Sequence, residues 1–548
     1  MEKIVLNAFI FLPLVLALGL IPVSAERKNV FRAAVVLLCL IQFFLSTWLW
    51  LMVGWSEVKY SGGFESILLF QTHLPWIELS LGHQSAIQIN YHIGADASAM
   101  LLVWMSSLVF FVAALSSWKL NDKVKSYFLL FLVLNASVMG CFLSLDLFLF
   151  FLFFEFMLLP MYFLIGIWGG PRRHYASIKF FLYTLFGSLL VLGVLVLLLL
   201  SSTLAQPEYT GGVVVHSLDL RVLMQKGNYL KDAVVMSDQV LFAGLSVREV
   251  AFWLLSIGLL IKLPAVPFHT WLPDAHVEAA TPVSVLLASV LLKVGAFGLM
   301  RLSFGLFPDV AMANAHILAA LGAVAILYTA WVALAQNDLK AMIAYASVSH
   351  MGFVLLGLST GSSVGFSGAV FQMLSHGLLS AGLFLIAGVV KEQAGTREIS
   401  GLGGLFHRSP GFTALAVLFF FASLGLPGFS AFVAEFLVLT GAFSAATGPL
   451  PLFGLWVPVL ALAGLLVGAG YFIWALQRLF FGPYFNVVPE EITRFKAPGL
   501  QDKLIFFPLV FFSLLAGLFP SLWLDPLQAG SDWFFALMNS ASMPSLTP

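Results

Sequence analysis

Glu155, Lys262, Lys293, His350, His376 and Glu435 each sit inside a long apolar stretch of the chain. Glu155 lies within Phe153-Phe154-Glu155-Phe156-Met157-Leu158-Leu159-Pro160. These are the side-chain types that hold and hand on protons. A charge at the centre of a bilayer costs roughly 2.5–3.5 kcal/mol on insertion scales, and more by other estimates. Ionisable groups at that depth therefore usually face a protein interior or a water path and act there. Lys179 lies within a turn of the start of its stretch and reads equally as a transport residue and as a structural pair or snorkelling end. Asp96 opens a stretch and reads as an end cap or interface contact. His350 and His376 also read as satisfied buried polar residues.

Two of the stretches are broken near these groups. In Ile261-Lys262-Leu263-Pro264-Ala265-Val266-Pro267, two prolines follow the lysine. In Leu424-Gly425-Leu426-Pro427-Gly428, a proline stands between glycines ahead of Glu435. Proline removes a backbone donor and clashes with the preceding turn. Unwound backbone at membrane depth is tolerated where it is buried or lines an aqueous cavity. Broken helices at matching places in two halves mark ion sites in transporters with inverted repeats. A buried lysine loses its proton easily, and a nearby carboxylate favours its charged form. Moving that carboxylate would switch the lysine between holding and releasing a proton. Glu155 is a candidate partner for Lys262, although the sequence does not show contact.

The elements that position these groups follow from composition. Of 548 residues, 61% are hydrophobic and 9% charged, with 26 acidic and 26 basic residues. Soluble domains average roughly 45–50% apolar and about 25% charged. A mean hydropathy of +1.01 over this length requires a polytopic membrane protein. Disorder, a disulfide scaffold and a basic nucleic-acid binder are excluded. Cys39 and Cys141 both lie in apolar runs and suggest neither a disulfide framework nor a metal cluster.

A spanning helix takes about 20 mostly apolar residues. Such runs lie near 4–22, 31–53, 97–117, 126–145, 147–168, 176–201, 249–270, 282–303, 313–335, 341–360, 364–390, 411–440, 452–477 and 504–524. The expected fold is all-α, with about 14 transmembrane helices, two inverted five-helix repeats and broken helices 7 and 12. The expected organisation is helices 1–3 over 1–119, a first repeat of helices 4–8 over 120–310, a second over 311–478, and helix 14 with a tail over 479–548. The first run is read as an uncleaved helix, because its positive charges follow the apolar stretch rather than precede it. Of the Lys and Arg assigned to loops, Lys3, Lys59, Arg221, Lys226, Lys231, Arg248 and Arg301 fall on one face. The other face holds more than twice as many, including Arg27, Lys28, Lys340, Arg494, Lys496 and Lys503. The positive-inside rule puts the richer face in the cytoplasm and both termini outside.

No Walker A loop, Rossmann glycine fingerprint, cysteine array or His-Glu-x-x-His motif is present. His269 and His276, beside Asp274 and Glu278, are a remote alternative as a metal site. No cofactor is expected in this chain.

Lys262-Leu263-Pro264-Ala265-Val266-Pro267-Phe268-His269-Thr270-Trp271-Leu272-Pro273-Asp274-Ala275-His276 resembles the signature of the antiporter-like subunits of respiratory complex I. So do Phe154-Glu155-Phe156-Met157-Leu158-Leu159-Pro160-Met161-Tyr162 and Ala344-Tyr345-Ala346-Ser347-Val348-Ser349-His350-Met351-Gly352. The resemblance covers nearly the whole chain. Glu435, where related branches carry lysine, favours the M-type branch, as do the length and the short end after the last run. The segment from about 202 to 248 is longer than the family usually has, and suggests contact with a neighbouring or accessory subunit.

The resemblance implies roles. Glu155 and Lys262 would be the ion pair of a first half-channel, and Lys293 would relay protons towards the centre. His350 and His376 would lie on the hydrated path, and Glu435 would be the terminal site. It further implies proton translocation coupled to quinone reduction in other subunits. The implied partners are the neighbouring antiporter-like subunits L and N and the lipid bilayer, most simply a bacterial inner membrane. Nucleic acid is not a partner. A subunit of a multi-component sodium/proton antiporter, or the membrane arm of a hydrogenase or ferredoxin-linked complex, are the alternatives.

Overall fold

The computed structural model describes residues 2–81, 85–204, 214–230, 232–236, 240–242, 244–489, 493 and 497–542. The chain is helical over most of each long apolar run. The first helices are α1 (Glu2–Leu20), α2 (Lys28–Met52), α3 (Ala97–Ser116) and α4 (Val124–Leu143). A kinked pair, α5 (Leu147–Phe156) and α6 (Leu158–Trp168), precedes α7 (Arg173–Ser201). A short turn, α8 (Leu220–Leu223), leads to α9 (Val247–Lys262) and α10 (Trp271–Glu278). Next come α11 (Thr281–Leu286) and α12 (Leu292–Gly298), then α13 (Pro308–Ala313), α14 (Ala315–Leu334), α15 (Leu339–Ser359) and α16 (Ser363–Ala394). The chain closes with α17 (Pro410–Ser423), α18 (Ser430–Thr447), α19 (Trp456–Phe480), α20 (Leu500–Leu518) and α21 (Ser521–Ser542).

Among the described residues, twelve segments are long and apolar enough to cross a bilayer, and Ile4–Leu20 and Pro410–Ser423 are apolar but shorter. The protein is an integral membrane protein. The run expected at 249–270 is helical only to Lys262, where the Leu263-Pro264 sequence stops the ladder. The run expected at 411–440 is interrupted between Ser423 and Ser430 and then extends to Thr447. The run expected at 504–524 ends at Leu518, before Pro520, and the expected tail is a further helix, α21. Trp523 of α21 packs against Trp104 with tilted rings and centroids 4.7 Å apart, and Phe534 against Phe366 at 4.8 Å. The aromatic side chains of α21 therefore dock it on the core.

The interior is built on the rod from Thr281 to Phe304, in which every residue from 283 to 304 is buried. Around it stand α3, α15 and α16, each largely buried, while only about a third of α20 and α19 is buried. Helices come close where side chains are small. A Cβ on Gly187 of α7 would sit 2.9 Å from the carbonyl oxygen of Gly258 of α9, and one on Gly258 would sit 2.5 Å from that of Gly187. This contact seats the turn of α9 that ends in Lys262.

Between α2 and α3 the polar segment pairs into a hairpin, β1 (Leu69–Ser80) against β2 (Ser85–Ala95). β3 (Val214–Ser217), from the long 202–248 segment, adds in parallel to β2. The middle of that segment, residues 205–213 with 231, 237–239 and 243, lies outside the described residues. Of the loop charges counted above, Lys231, Arg494 and Lys496 also lie outside them. The hairpin is tied to the start of α5. Leu145 N donates to His92 O at 2.9 Å, and Asn90 N donates to Asp146 Oδ2 at 3.3 Å.

Arg301 and Lys340, both assigned to loops, are buried instead. Arg301 lies in the rod and is 3% exposed. Its Nη2 donates to Asp96 Oδ1 at 2.7 Å, and its guanidinium lies over the rings of Phe64 and Phe297. Asp96 also caps α3, accepting from Ala99 N at 2.9 Å. Lys340, the second residue of α15, is 3% exposed and donates to Ala279 O at 2.5 Å. Removing one member of a buried ion pair typically costs about 3–5 kcal/mol, whereas removing both charges is often nearly neutral. Arg301→Met alone should therefore lower the Tm of the purified protein sharply. Arg301→Met combined with Asp96→Asn, which keeps an N-cap, should recover most of the loss. Equal Tm values for the single and double variants would contradict the pairing.

Candidate functional site

Asp146 starts α5 by accepting from Phe148 N at 2.9 Å and Leu149 N at 3.3 Å. Pro160 cannot donate to the carbonyl four residues back, and the helix breaks at Met157. Glu155 thus lies in the last turn before a kink. Its Oε1 is buried without a hydrogen-bond partner. Lys262 ends α9 and is 1% exposed. Its ammonium has no hydrogen-bond partner and lies 4.9 Å from the ring centroid of Phe154 and 5.9 Å from that of Phe180. The structure therefore places Lys262 beside the residue that precedes Glu155, and its ammonium faces rings.

The rod that follows is irregular around Lys293. Leu287–Leu291 and Leu299–Phe304 are π-helical, on either side of α12. Such widened turns are rare and occur frequently at functional sites. Lys293 is wholly buried and donates from Nζ to Ala288 O at 2.7 Å. The same Nζ lies 2.5 Å from Nδ1 of His376, on α16. The His376 ring meets that of His350, on α15, edge-on with centroids 5.4 Å apart. His350 Nε2 lies 4.0 Å from Glu435 Oε1, on α18. Four residues from four elements thus form one polar line from Lys293 to Glu435, buried except for the 13% exposed His350.

Glu435 is 2% exposed, and its Oε1 has no hydrogen-bond partner. It borders a cavity of about 10 Å³ shared with Ser349, His350, Ser423 and Tyr471. That is close to the space one water needs, and a buried water takes two to four polar partners. Ser423 Oγ and Tyr471 Oη are also buried without partners. The break between α17 and α18 makes room for the carboxyl. A Cβ on Gly425, whose φ is +80°, would sit 2.4 Å from Glu435 Oε2.

Lys179 stands apart from this line. It pairs with Asp274 at 2.7 Å, both partly exposed, and joins α7 to α10. Glu278 accepts from Arg172 N at 2.9 Å. His276 stacks on Phe384 with centroids 4.3 Å apart, and both its ring nitrogens lack partners. His269, His276, Asp274 and Glu278 are thus held by different neighbours, and no metal-ligand group forms from them among the described residues. Lys340 and His276 are buried ionisable groups that span-by-span reading misses. Lys340 adjoins the predicted start of its run, and His276 follows a proline-rich break, so only their burial singles them out.

A family model described as "NADH:quinone oxidoreductase/Mrp antiporter, TM" matches residues 144–460, which includes every residue of this line. NADH-quinone oxidoreductase subunit M of Rhodobacter capsulatus is 40% identical over 437 residues, covering 80% of each chain. The chain belongs to the NADH-quinone oxidoreductase subunit M family. F(420)H(2) dehydrogenase subunit M of Methanosarcina mazei is 41% identical over 400 residues, covering 72% of this chain and 75% of that one. A chain in the structure of respiratory complex I from Thermus thermophilus with bound NADH superposes with a TM-score of 0.74 at 27% identity. That match covers 98% of this chain and 100% of the other. The fold of this subunit M family member is thus the antiporter-like fold of a multi-subunit membrane arm.

The Gly425 contact is testable by stability. A non-glycine residue in left-handed backbone costs roughly 1–2 kcal/mol before any clash. Gly425→Ala should lower the Tm of the purified protein. Gly470→Ala, in α19 with open space around its Cβ, should not. Similar Tm values would show that Gly425 does not hold the carboxyl in place.

Proposed function

We propose that this chain translocates protons as the M subunit of the membrane arm of an NADH:quinone oxidoreductase. Quinone reduction in other subunits drives it. The observation that carries the reading is the line Lys293–His376–His350–Glu435, built from separate helices and buried except at His350, which is 13% exposed.

Glu155 and Lys262 form the switch of the first half-channel. In the arrangement described, the Lys262 ammonium faces aromatic rings. Approach of the Glu155 carboxylate favours the ammonium, and its withdrawal releases the proton. Lys293 receives it and donates through Nζ to His376 Nδ1. Rotation of the His376 and His350 rings carries the proton on to Glu435, which holds it before exit. The chain carries no cofactor of its own, because the sequence lacks a nucleotide fingerprint and a cysteine array. Relatives that share this chain's sequence bear names with different electron donors, which fits a subunit whose electron input lies in other chains.

The architecture supports two inverted five-helix units, over 120–310 and 311–478. In such units the break after Lys262 in one would correspond to the break before Ser430 in the other. Segments 1–119 and 479–548 flank them. Subunits L and N are the neighbours in the arm. The membrane is a bacterial inner (plasma) membrane, with both termini on the outer side.

Lys262→Ala should abolish or strongly reduce proton pumping by the assembled complex in sealed vesicles; undiminished pumping would overturn the reading. Glu435→Gln, which keeps the side chain's shape and loses its proton, should impair pumping more than Glu435→Asp. Equal pumping by the two would mean that no proton resides there. Purification in mild detergent separates the sodium/proton antiporter alternative. Flavin, iron–sulfur absorption and NADH-binding partners support the proposal, whereas a colourless set of small membrane proteins would shift the question to sodium.

A further inference from the structure

Far from the proton line, the hairpin carries a second cluster. His73 of β1 and His92 of β2 are direct cross-strand partners, so both imidazoles project from one face. Their rings meet edge-on with centroids 4.9 Å apart. Asp219, just after β3 and bridged through its backbone to Asp146, reaches between them. His92 Nδ1 lies 2.8 Å from Asp219 Oδ2, and His73 Nε2 lies 3.7 Å from the same oxygen. One ligand atom from each of the three residues falls within 4.8 Å of the others. His92 and Asp219 are buried, and His73 is 40% exposed, so the cluster has a floor and one open side.

From this juxtaposition we propose that His73, His92 and Asp219 form a binding site for a divalent transition-metal ion of the zinc class. Zinc takes histidine nitrogen and carboxylate oxygen at about 2.0–2.2 Å in a tetrahedron, which sets its ligands roughly 3.3–3.5 Å apart. The two separations at Asp219 Oδ2 bracket that spacing, so small side-chain shifts bring the three donors onto one ion. The fourth position opens to solvent on the His73 side.

Arg221 does not block the site. It donates to Asp219 Oδ1 from its backbone N at 2.9 Å and from Nε at 3.0 Å, and to Oδ2 from Nη2 at 2.9 Å. A carboxylate offers four lone-pair positions. Three go to Arg221, and His92 occupies the fourth. The ion takes that fourth position from the His92 Nδ1 contact and is then shared by the two residues. Arg221 retains its bonds, as well as a second carboxylate, Glu65, at 3.4 Å.

The site is independent of the proton-transport reading, and its test uses Zn²⁺ alone as the probe. The assembled complex in mild detergent is equilibrated with buffered micromolar Zn²⁺, and bound metal is counted by mass spectrometry. His73→Ala should bind one equivalent less than the native complex. The same count in both would overturn the proposal. In the native complex, Zn²⁺ should also protect His73 from carbethoxylation by diethylpyrocarbonate, read on its peptide. Unchanged modification would overturn the proposal even where the variant fails to assemble.

Discussion

A buried ammonium in a membrane protein is costly unless the protein surrounds it with acceptors or aromatic faces, because lipid supplies neither. Lys293 sets this demand at the centre of the molecule. It is met by the carbonyl of Ala288 and the imidazole of His376. A regular α-helix commits each carbonyl to the N–H four residues on. The π-turn at Leu287–Leu291 alters that pattern beside Lys293 and places the Ala288 carbonyl against its Nζ. The second partner comes from another helix, so α16 must lie against the rod at this height. Its length of 32 residues, about 48 Å at 1.5 Å per residue, lets it do so while reaching past both surfaces of a bilayer. The buried rod and the largely buried α15 and α16 are placed so as to serve this one charge.

Much of this was legible in the sequence. The apolar runs locate the helices, because a span of lipid demands about 20 apolar residues and leaves little freedom in register. The prolines after Lys262 and around Leu426 locate the breaks, because a missing N–H cannot be replaced by lipid. The residues of the line were visible as charges with no reason to be in apolar sequence. Geometry was not visible. Hydropathy cannot say that Arg301 is buried against Asp96 rather than at a loop, since both readings place it near a helix end. It cannot find α21, whose Asp525, Gln528 and Asp532 mask an aromatic docking face. Nor does it anticipate the kink at Met157, although Pro160 signals it. The hairpin, with its polar cross-strand pairs, lies in a segment where a search for spans has nothing to report.

The polar groups are closely spaced on one side of Lys293 and separated by aromatic rings on the other. From Lys293 to Glu435 one hydrogen bond, one ring contact and one 4.0 Å approach link the groups in turn. Lys262 faces aromatic rings, and no hydrogen bond reaches its ammonium. A path connected from end to end at all times would let protons run down their gradient, so a pump needs at least one gap that opens and closes with its driving reaction. The structure puts such a gap beside a helix end, a kink and a packing contact. Lys262 ends α9, Glu155 precedes the break at Met157, and a Cβ on Gly295 of α12 would sit 2.7–3.0 Å from the Lys262 backbone, its Cβ and Leu263 N. Gly295 lies two residues from Lys293 on the same helix. A small shift of α9 against α12 therefore moves Lys262 and Lys293 relative to each other while leaving the His376–His350–Glu435 contacts in place. Packed helices resist continuous deformation but can slide between discrete arrangements. A gap bounded by such a joint is where differential contacts between two states would act, and the tight glycine contact makes the joint both close and narrow.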